Sequence, residues 1–145
     1  MIQIKRITAP ETYEIRLEEL RNNIPLPVEF KGDFDEDTIH LGAFKGDTLI
    51  AVSSFMKTKS SNFSGEQYQL RGMATLNKFQ GFGAGKLMLK EVFSIFNALK
   101  VDYLWCNARI IAVEFYKKQG FKTSGELFNL KYIGDHYIMY KNLNE

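Results

Sequence analysis

The sequence predicts an α/β domain in which helices cover both faces of a mixed central sheet. Two observations support this class: strand-like segments follow one another in the middle of the chain, and helical and strand-like segments alternate after them. No linker or internal repeat divides the chain. Its 145 residues, 45% of them hydrophobic, therefore predict a single domain over 1–145 with one core.

The N-terminal part predicts a strand, a helix and a loop. Residues 2–7 alternate apolar and polar side chains, as a half-buried strand does. Thr8-Ala9-Pro10-Glu11 has the pattern of a capping box, which starts a helix. Apolar residues follow at helical spacing, namely Tyr13, Leu17 and Leu20. Residues 22–38 hold two prolines and four acids and indicate a mobile acidic loop.

Three consecutive strands are predicted in the middle of the chain. His40–Phe44 and Thr48–Met56 flank the turn residues Lys45-Gly46-Asp47 and predict a hairpin. Glu66–Leu76 alternates over a longer stretch. Strict alternation would place Tyr68, Leu70, Gly72, Ala74 and Leu76 on one face of this strand, and Gln69, Arg71, Met73 and Thr75 on the other.

Helices and strands alternate in the C-terminal half. Gly83–Leu99 is a predicted helix because Leu89, Val92, Phe93, Phe96 and Leu99 recur at helical period. The second predicted helix is Ile110–Gln119, which ends before Gly120 at the position of a C-terminal cap. The predicted strands of this half are Val101–Asn107, Phe121–Tyr132 and His136–Leu143.

A glycine-rich loop follows a predicted strand and opens a predicted helix. It consists of Phe79, Gln80, Gly81, Phe82, Gly83, Ala84, Gly85 and Lys86. Glycine lets the backbone approach a ligand closely, and the N–H groups of a helix N-terminus favour phosphate. A Walker A loop would need glycine at Gln80 and a hydroxyl at Leu87, and a dinucleotide fingerprint would need glycine at Lys86. The loop therefore predicts a phosphate site of another type.

The spacing of Gln80, Gly83 and Gly85 resembles motif A of the GNAT superfamily of N-acetyltransferases, Q/R-x-x-G-x-G/A. Met73-Ala74-Thr75-Leu76 is similar to the family's preceding strand. Asn107, Ala112, Phe115-Tyr116 and Gly120-Phe121 resemble its later segment N-x-x-A-x-x-F-Y-x-x-x-G-F, with one or two extra residues after Asn107. The resemblance spans about residues 1–143 and is strongest over 70–121. It implies the GNAT acyl-CoA N-acyltransferase fold, with a mostly antiparallel central sheet.

The resemblance also implies an activity. A primary amine of a small molecule or a peptide would attack the thioester of acetyl-CoA directly, in a ternary complex, with no metal. Coenzyme A would lie between the parallel strands Glu66–Leu76 and Val101–Asn107, its pyrophosphate on the glycine-rich loop and its pantetheine arm on the backbone of Met73 and Thr75. The expected coenzyme-binding residues are Met73, Ala74, Thr75, Gln80, Gly81, Phe82, Gly83, Ala84, Gly85, Lys86, Asn107 and Phe115.

Two side chains are candidates for catalysis. Tyr116 resembles the family's general-acid tyrosine, which would protonate or hydrogen-bond the leaving thiolate. His136 is a candidate general base because histidine titrates near neutral pH, and a structural role is the alternative interpretation. Other candidates for the base are Glu66, Glu126, the acids of 33–37 and ordered water. Cys106 lies in an apolar strand, so we expect a buried thiol and no acetyl-cysteine intermediate.

Charge and composition limit the partners. The formal net charge of +2 is too small to predict nucleic acid binding. The chain shows neither a start that suits a signal peptide nor a run of about 20 apolar residues. We therefore expect a soluble cytoplasmic enzyme, away from membranes, that acts on a small-molecule amine; a homodimer would be in keeping with the family.

Several alternatives stay open at this level. The acids of 33–37 would suit a cationic acceptor such as a polyamine, an amino sugar or a lysine, or would simply form a solvated loop. A catalytically silent acyl-CoA-binding or sensing module would keep the same glycine-rich loop. A nucleotide-binding protein that uses this loop is the third class of function.

Overall fold

Seven strands form one sheet in the computed structural model, which describes residues 1–145. The strands are β1 Ile2–Arg6, β2 Ile39–Lys45, β3 Thr48–Met56, β4 Gln67–Thr75, β5 Tyr103–Arg109, β6 Lys122–Leu130 and β7 Gly134–Asn142. Their order across the sheet is β1-β2-β3-β4-β5-β7-β6. Neighbours are antiparallel except β4 and β5, which are parallel. The predicted fold class, a mixed and mostly antiparallel sheet with helices, is confirmed.

The α-helices are α1 Tyr13–Arg16, α2 Ala84–Leu99 and α3 Val113–Lys118. Short 3-10 turns precede α1 and α3 and also follow β4, and a π turn at Leu17–Arg21 continues α1. The 16 residues of α2 bury one stripe that includes Leu89, Val92 and Phe96, as the apolar period predicts, but Leu99 of the predicted stripe is 55% exposed at the end of the helix. None of these helices combines the length and the apolar character needed to cross a bilayer.

The helices divide the molecule into two layers of unequal size. Residues of α2 and α3 pack on one face of the sheet, here called the α2 face, in a core of 21 buried residues. On the opposite face, here called the α1 face, Ile15 packs with Val52 and Ala74 in a core of three buried residues. Most of the apolar burial therefore lies on the α2 face.

The first helical segment differs from its prediction. The N–H and the hydroxyl of Thr8 both donate to the Glu11 carboxylate, at 2.8 and 2.9 Å, so only the glutamate half of the capping box forms. Ile15 and Arg16 are buried against the sheet, whereas Leu17 of the predicted stripe is 55% exposed. The predicted apolar stripe is therefore wrong at Leu17. The segment passes from 3-10 through α to π geometry, so its side chains do not keep a constant period of 3.6 residues.

Strand β4 changes face at Gly72. Its pairing with β3 shifts register there, because β4 carries one extra residue. Gly72 has φ +63°, which a residue without Cβ adopts at little cost. Leu70 packs on the α2 face, but Ala74 packs on the α1 face, and Met73 has moved to the α2 face. The predicted strict alternation is therefore wrong beyond Gly72.

Candidate active site

A gap opens between the two parallel strands at the centre of the sheet. β4 and β5 pair at four positions only, and the last pair joins Leu70 to Cys106. Both strands continue beyond this pair, to Thr75 and Arg109, without pairing to each other. Their unpaired backbone groups line what we call the strand gap, whose closed end is at Leu70 and Cys106. An extended ligand with amide groups can bind such strands as an added strand would.

The glycine-rich loop lies between the end of β4 and the start of α2. The N–H groups of Gly81, Phe82 and Gly83 have no backbone acceptor. α2 starts at Ala84 without a side-chain cap, so the N–H groups of its first turn are free as well. Gly83 has φ +85°, and a Cβ there would meet no atom within 4 Å. Free donors, open space and the positive end of a 16-residue helix fit a phosphate or pyrophosphate group.

Three of the predicted coenzyme-binding segments meet at Gly85. A Cβ on this residue would lie 3.0 Å from Cζ of Phe115 and 3.4 Å from Sδ of Met73. The start of α2 is thereby held against α3 and against the part of β4 that borders the strand gap. Gln80 also contacts β4, since its side-chain amide donates to the Thr75 carbonyl at 3.4 Å.

The remaining predicted coenzyme-binding residues do not all lie on the same side of the sheet as Gly85. Lys86 is exposed on α2, and Phe82 is 62% exposed beside Lys45. Ala74 points to the α1 face, so only its backbone borders the gap. Asn107 is exposed on the α1 face, because its neighbours Cys106 and Ala108 both pack on the α2 face. Asn107 and Phe115 therefore lie on opposite faces of the sheet.

Tyr116 is buried on the α2 face near the closed end of the strand gap. Its ring centroid lies 5.2 Å from that of Phe115 and 5.2 Å from that of Phe121. Burial raises the pKa of the Tyr116 hydroxyl well above its ordinary value; the Cys106 thiol adds to this rise, and the Arg109 guanidinium opposes it. The hydroxyl therefore stays protonated at physiological pH and can donate a hydrogen bond.

Cys106 is buried at the closed end of the strand gap. Only 2% of the residue is exposed, and burial raises the pKa of its thiol far above the ordinary value. A thiol acts as a nucleophile in its thiolate form. Cys106 is therefore poorly suited to carry an acetyl group.

His136 lies on the α1 face, one strand beyond the gap. It pairs with Arg109 across β5 and β7, so the two side chains are neighbours on one face. Nδ1 of His136 lies 2.7 Å from the Gly134 carbonyl oxygen, and we assign it as the donor of this bond. In the neutral tautomer that makes this bond, Nε2 is the acceptor nitrogen, through which a general base would act.

The other candidate bases lie away from the strand gap. Glu66 is exposed before the first residue of β4 and pairs with Lys57 at 3.4 Å. A cavity of about 370 Å³ opens at that end of the sheet, with Glu66, Glu36 and Asp37 among its lining residues. Glu126 is exposed on the edge strand β6. Glu66, Glu36 and Asp37 therefore lie at the paired end of β4 and β5, and Glu126 lies two strands away from the gap.

Sequence reasoning missed a buried polar network under the α1 face. Arg16 is fully buried and forms a bidentate pair with Asp33, at 2.8 and 3.0 Å. It also donates to the Ser54 hydroxyl at 2.9 Å, and Nδ1 of His40 lies 2.6 Å from the same oxygen. The four residues come from four separate segments, so no local pattern in the sequence signals the network.

The network controls the ionisation of Asp33. Burial alone would raise the pKa of this carboxyl group. The hydrogen bonds from Arg16 and from the Phe30 N–H, with the positive charge of Arg16, outweigh burial and hold the pKa below its ordinary value. Asp33 is therefore an ionised structural group, engaged with Arg16, and is not free to bind a cationic acceptor.

Comparisons with known proteins agree with this geometry. A family model described as an acetyltransferase (GNAT) domain matches residues 8–141. The uncharacterized N-acetyltransferase YitI of Bacillus subtilis (strain 168) is 37% identical to this chain over 145 residues, which cover 99% of this chain and 97% of YitI.

Solved structures share the fold. Escherichia coli ElaA superposes with a TM-score of 0.79 at 19% identity, over 98% of this chain and 100% of ElaA. FeeM, an N-acyl amino acid synthase from uncultured soil microbes, gives a TM-score of 0.83 at 14% identity, over 100% of this chain and 92% of FeeM. The family model and the 37% identical relative show that the chain belongs to the GNAT family of N-acetyltransferases, which use acetyl-CoA or another acyl-CoA as co-substrate.

Proposed function

We propose that this enzyme binds acetyl-CoA in the strand gap and transfers the acetyl group to a primary amine of a small molecule, in a ternary complex. The observation that carries the proposal is the position of the glycine-rich loop. Its free N–H groups lie where β4 ends, beside the unpaired stretch of β4 and β5. A pyrophosphate on the loop would leave the pantetheine arm free to follow the backbone of Met73–Thr75 toward the closed end.

The two faces of the sheet would serve the two substrates. Tyr116 and the glycine-rich loop lie on the α2 face, where the coenzyme would enter. His136 is buried and Asn107 is exposed on the α1 face, from which the acceptor amine would approach. Direct transfer across the gap agrees with this division and with the burial of Cys106.

The proposed step begins with removal of a proton from the amine. An alkylammonium with a pKa of about 10 must lose a proton before it attacks. Nε2 of His136 accepts this proton, and the amine nitrogen then bonds to the thioester carbon. Backbone N–H groups of β4 at the gap stabilise the oxyanion of the tetrahedral intermediate.

The C–S bond then breaks, and coenzyme A leaves as a thiolate. Tyr116 donates a hydrogen bond to the leaving sulfur. Because burial raises the pKa of this tyrosine, full proton transfer to a thiolate of pKa about 8.5 is uphill. Stabilisation of the thiolate by hydrogen bonding is therefore the main contribution of Tyr116.

The test combines calorimetry with thiol-release kinetics over a panel of amines. We expect sub-millimolar binding of acetyl-CoA and turnover of at least one amine. Tyr116→Phe should lower kcat about 10- to 100-fold with unchanged acetyl-CoA affinity, since one hydrogen bond to a charged atom is lost. Tyr103→Phe, at the opposite end of β5, is the matched control and should change neither quantity.

The pH profile tests the two catalytic assignments separately. His136→Gln should lower kcat/KM about 100-fold near pH 7 and remove the rising limb that the histidine contributes. The wild-type profile should show no fall from Tyr116 ionisation below about pH 10.

Failure to bind acetyl-CoA would refute the proposal. Binding without turnover of any amine, unchanged in Tyr116→Phe, would instead establish a silent acyl-CoA-binding module. Turnover rates measured with acetyl-CoA and with longer acyl-CoAs identify the preferred acyl donor.

A further inference from the structure

Four arginines gather on the α1 face beside the strand gap. The guanidinium carbons of Arg16, Arg71 and Arg21 lie 3.8, 4.6 and 5.1 Å from the centroid of the Phe30 ring. Arg109, at the end of β5, points to the same face, because Ala108 packs on the other. Burial lowers the pKa of Arg21, and the charges of Arg109, Arg71 and Arg16 lower it further. The four cations therefore influence one another.

Only one of these arginines has a carboxylate partner. Arg16 pairs with Asp33 at 2.8 Å. Arg21 donates to the backbone carbonyls of Pro27 and Leu20, which carry no net charge. Arg71 and Arg109 make no ion pair and no hydrogen bond within the protein, although both are half-buried. Partly desolvated cations without a counter-charge destabilise the free protein, and a bound anion would relieve this.

The uncompensated arginines lie where the acceptor must react. Arg71 is the first residue of β4 after the last pair with β5, and Asn107 is the first residue of β5 after it. Both side chains point to the α1 face, away from Tyr116. Arg109 follows two residues later on β5, beside His136. An acceptor that enters from this face therefore meets positive charge one residue past the closed end on β4 and three residues past it on β5.

The charge of Asp33 acts on Arg71 as well as on Arg16, but Asp33 is the one carboxylate that offsets the four arginines, which leaves a net positive charge. Asp33 is engaged with Arg16. Glu36 and Asp37 line the cavity at the other end of the sheet, with Arg6 and Lys57. A polyamine would bring additional positive charge toward Arg71 and Arg109, and like charges a few ångströms apart repel. The charge distribution therefore disfavours the cationic acceptor that the acidic loop would suit.

We propose that the acceptor is an amine that also carries a carboxylate, and that Arg71 binds this carboxylate. Arg109 and Arg21 add positive charge around it. A guanidinium fork matches a carboxylate in two parallel hydrogen bonds. Because Arg71 is one residue past the closed end, the amine and the carboxylate must be separated by only a few bonds, as in an amino acid. This proposal rests on the proposed function and narrows its acceptor class.

The reaction then has a defined balance. The C–N bond to the acetyl carbon forms as the C–S bond of acetyl-CoA breaks. One ammonium proton passes to His136 before the attack. The attacking nitrogen loses a second proton as the tetrahedral intermediate collapses, and this proton passes through solvent to the coenzyme A sulfur, which takes the electron pair of the broken C–S bond. The carboxylate stays ionised on Arg71 throughout, so the product is an N-acetyl amino acid.

The experiment compares matched acceptors with and without the negative charge. Thiol release is measured for the common amino acids as free acids and as their carboxamides, for spermidine and for phosphoethanolamine. We expect turnover of one or more free acids with a KM at least tenfold below that of the carboxamide. Arg71→Gln should raise the KM of the free acid about 10- to 100-fold and leave the KM of acetyl-CoA within twofold.

Two further variants separate recognition from folding. Arg71→Lys keeps the charge but loses the fork, so we expect an intermediate KM. Arg6→Gln removes an exposed arginine that lines the cavity at the other end of the sheet, and its kinetics should match those of the wild type. A thermal melt of each variant verifies that it is folded. In Arg71→Gln the KM of the free acid should become similar to that of the carboxamide.

Distinct results overturn the acceptor assignment and the proposed function. Preference for carboxamides, spermidine or phosphoethanolamine over every free amino acid would overturn the carboxylate assignment while the acetyltransferase activity stands. An equal loss on charged and uncharged acceptors in Arg71→Gln would also overturn it. If no acceptor turns over, calorimetry with saturating coenzyme A still decides: amino acid binding that Arg71→Gln abolishes supports the site, and its absence in the wild type rejects it.

Discussion

At the scale of single residues, Gly83 shows how a backbone conformation supports binding. Its φ of +85° lets the chain turn from β4 into α2 with the loop N–H groups left free. A side chain at a φ of this kind is strained by its own backbone. Open space around a Cβ at this position means that neighbours add nothing to that strain. A substitution at Gly83 therefore reports the strain of the backbone alone, because the new side chain would not collide with neighbouring atoms.

Alanine at Gly83 should weaken coenzyme binding as well as folding. We expect Gly83→Ala to lower the free energy of unfolding by about 1 kcal/mol and to raise the KM of acetyl-CoA about tenfold, as one hydrogen bond to phosphate is weakened. Gly125→Ala is the matched control, because Gly125 has φ +77° and equally open space, on the edge strand β6. Denaturant unfolding and kinetics of both variants check this; an equal change in KM would contradict it.

The Arg16–Asp33 pair predicts a loss of stability in acid. The pKa of Asp33 is held below its ordinary value in the folded chain, so the pair contributes stability above the unfolded pKa of about 3.9. This contribution is lost as pH falls through the folded pKa. Asp33→Asn should lower the free energy of unfolding at pH 7 by about 3 kcal/mol or more, because the Arg16 charge stays buried and unpaired.

Unfolding titrations between pH 2 and pH 7 measure this effect. The loss of unfolding free energy on acidification should be smaller in Asp33→Asn than in the wild type. The variant lacks the Asp33 carboxylate, which is the largest single source of that loss. Asp35→Asn, an exposed acid two residues later, should follow the wild-type curve. Parallel acid limbs in the wild type and Asp33→Asn would rule out the pair as the source.

At the scale of elements, the ends of helices and strands were predicted more accurately than their faces. The helix predicted over Gly83–Leu99 begins at Ala84, and the strand predicted over Glu66–Leu76 spans Gln67–Thr75. Periodicity locates such elements because it is local. The face of β4 beyond Gly72 could not be predicted, because a bulge depends on the register with β3.

The C-terminal end of α2 is a position where a substitution should stabilise the protein. Lys100 has φ +58°, and the bonds from its N–H to Asn97 and from the Val101 N–H to Phe96 form a Schellman motif. Lys100→Gly should raise the free energy of unfolding by about 1 kcal/mol, because glycine removes the left-handed strain. Lys90→Gly, exposed within α2, should lower it by about 1 kcal/mol. Thermal unfolding checks both, and a loss in Lys100→Gly would contradict the assignment.

At the scale of the whole molecule, the two layers differ in stability and in role. The α2 face holds 21 core residues and the glycine-rich loop. The α1 face holds a core of three residues, the buried Arg16 network and the arginines that we assign to the acceptor. A layer with little apolar burial opens more easily than a large core. The acceptor side is therefore the side that can adjust to a substrate.

Native-state hydrogen exchange should resolve this difference. Amides of α1 and the following π turn should open with a lower free energy than those of α2 and β3, whose exchange should approach global unfolding. Asp33→Asn should accelerate exchange in α1 further, whereas the Asp35→Asn control should not. Uniform opening free energies across both layers would show that the molecule opens as one unit.

The sequence by itself determined the order of the elements, the mixed sheet, the glycine-rich loop and the segment that contains Tyr116. The order of the elements and the mixed sheet follow from periodicity along the chain, and the segment with Tyr116 was identified by its resemblance to a family motif; both kinds of signal extend over a few residues. Only the tertiary structure decided that β4 and β5 separate after Leu70 and Cys106, that Asp33 is engaged with Arg16, and that Arg71 and Arg109 face the gap without a partner. Those properties depend on which strands pair, in which register and on which face, and such long-range choices leave no local pattern in the sequence.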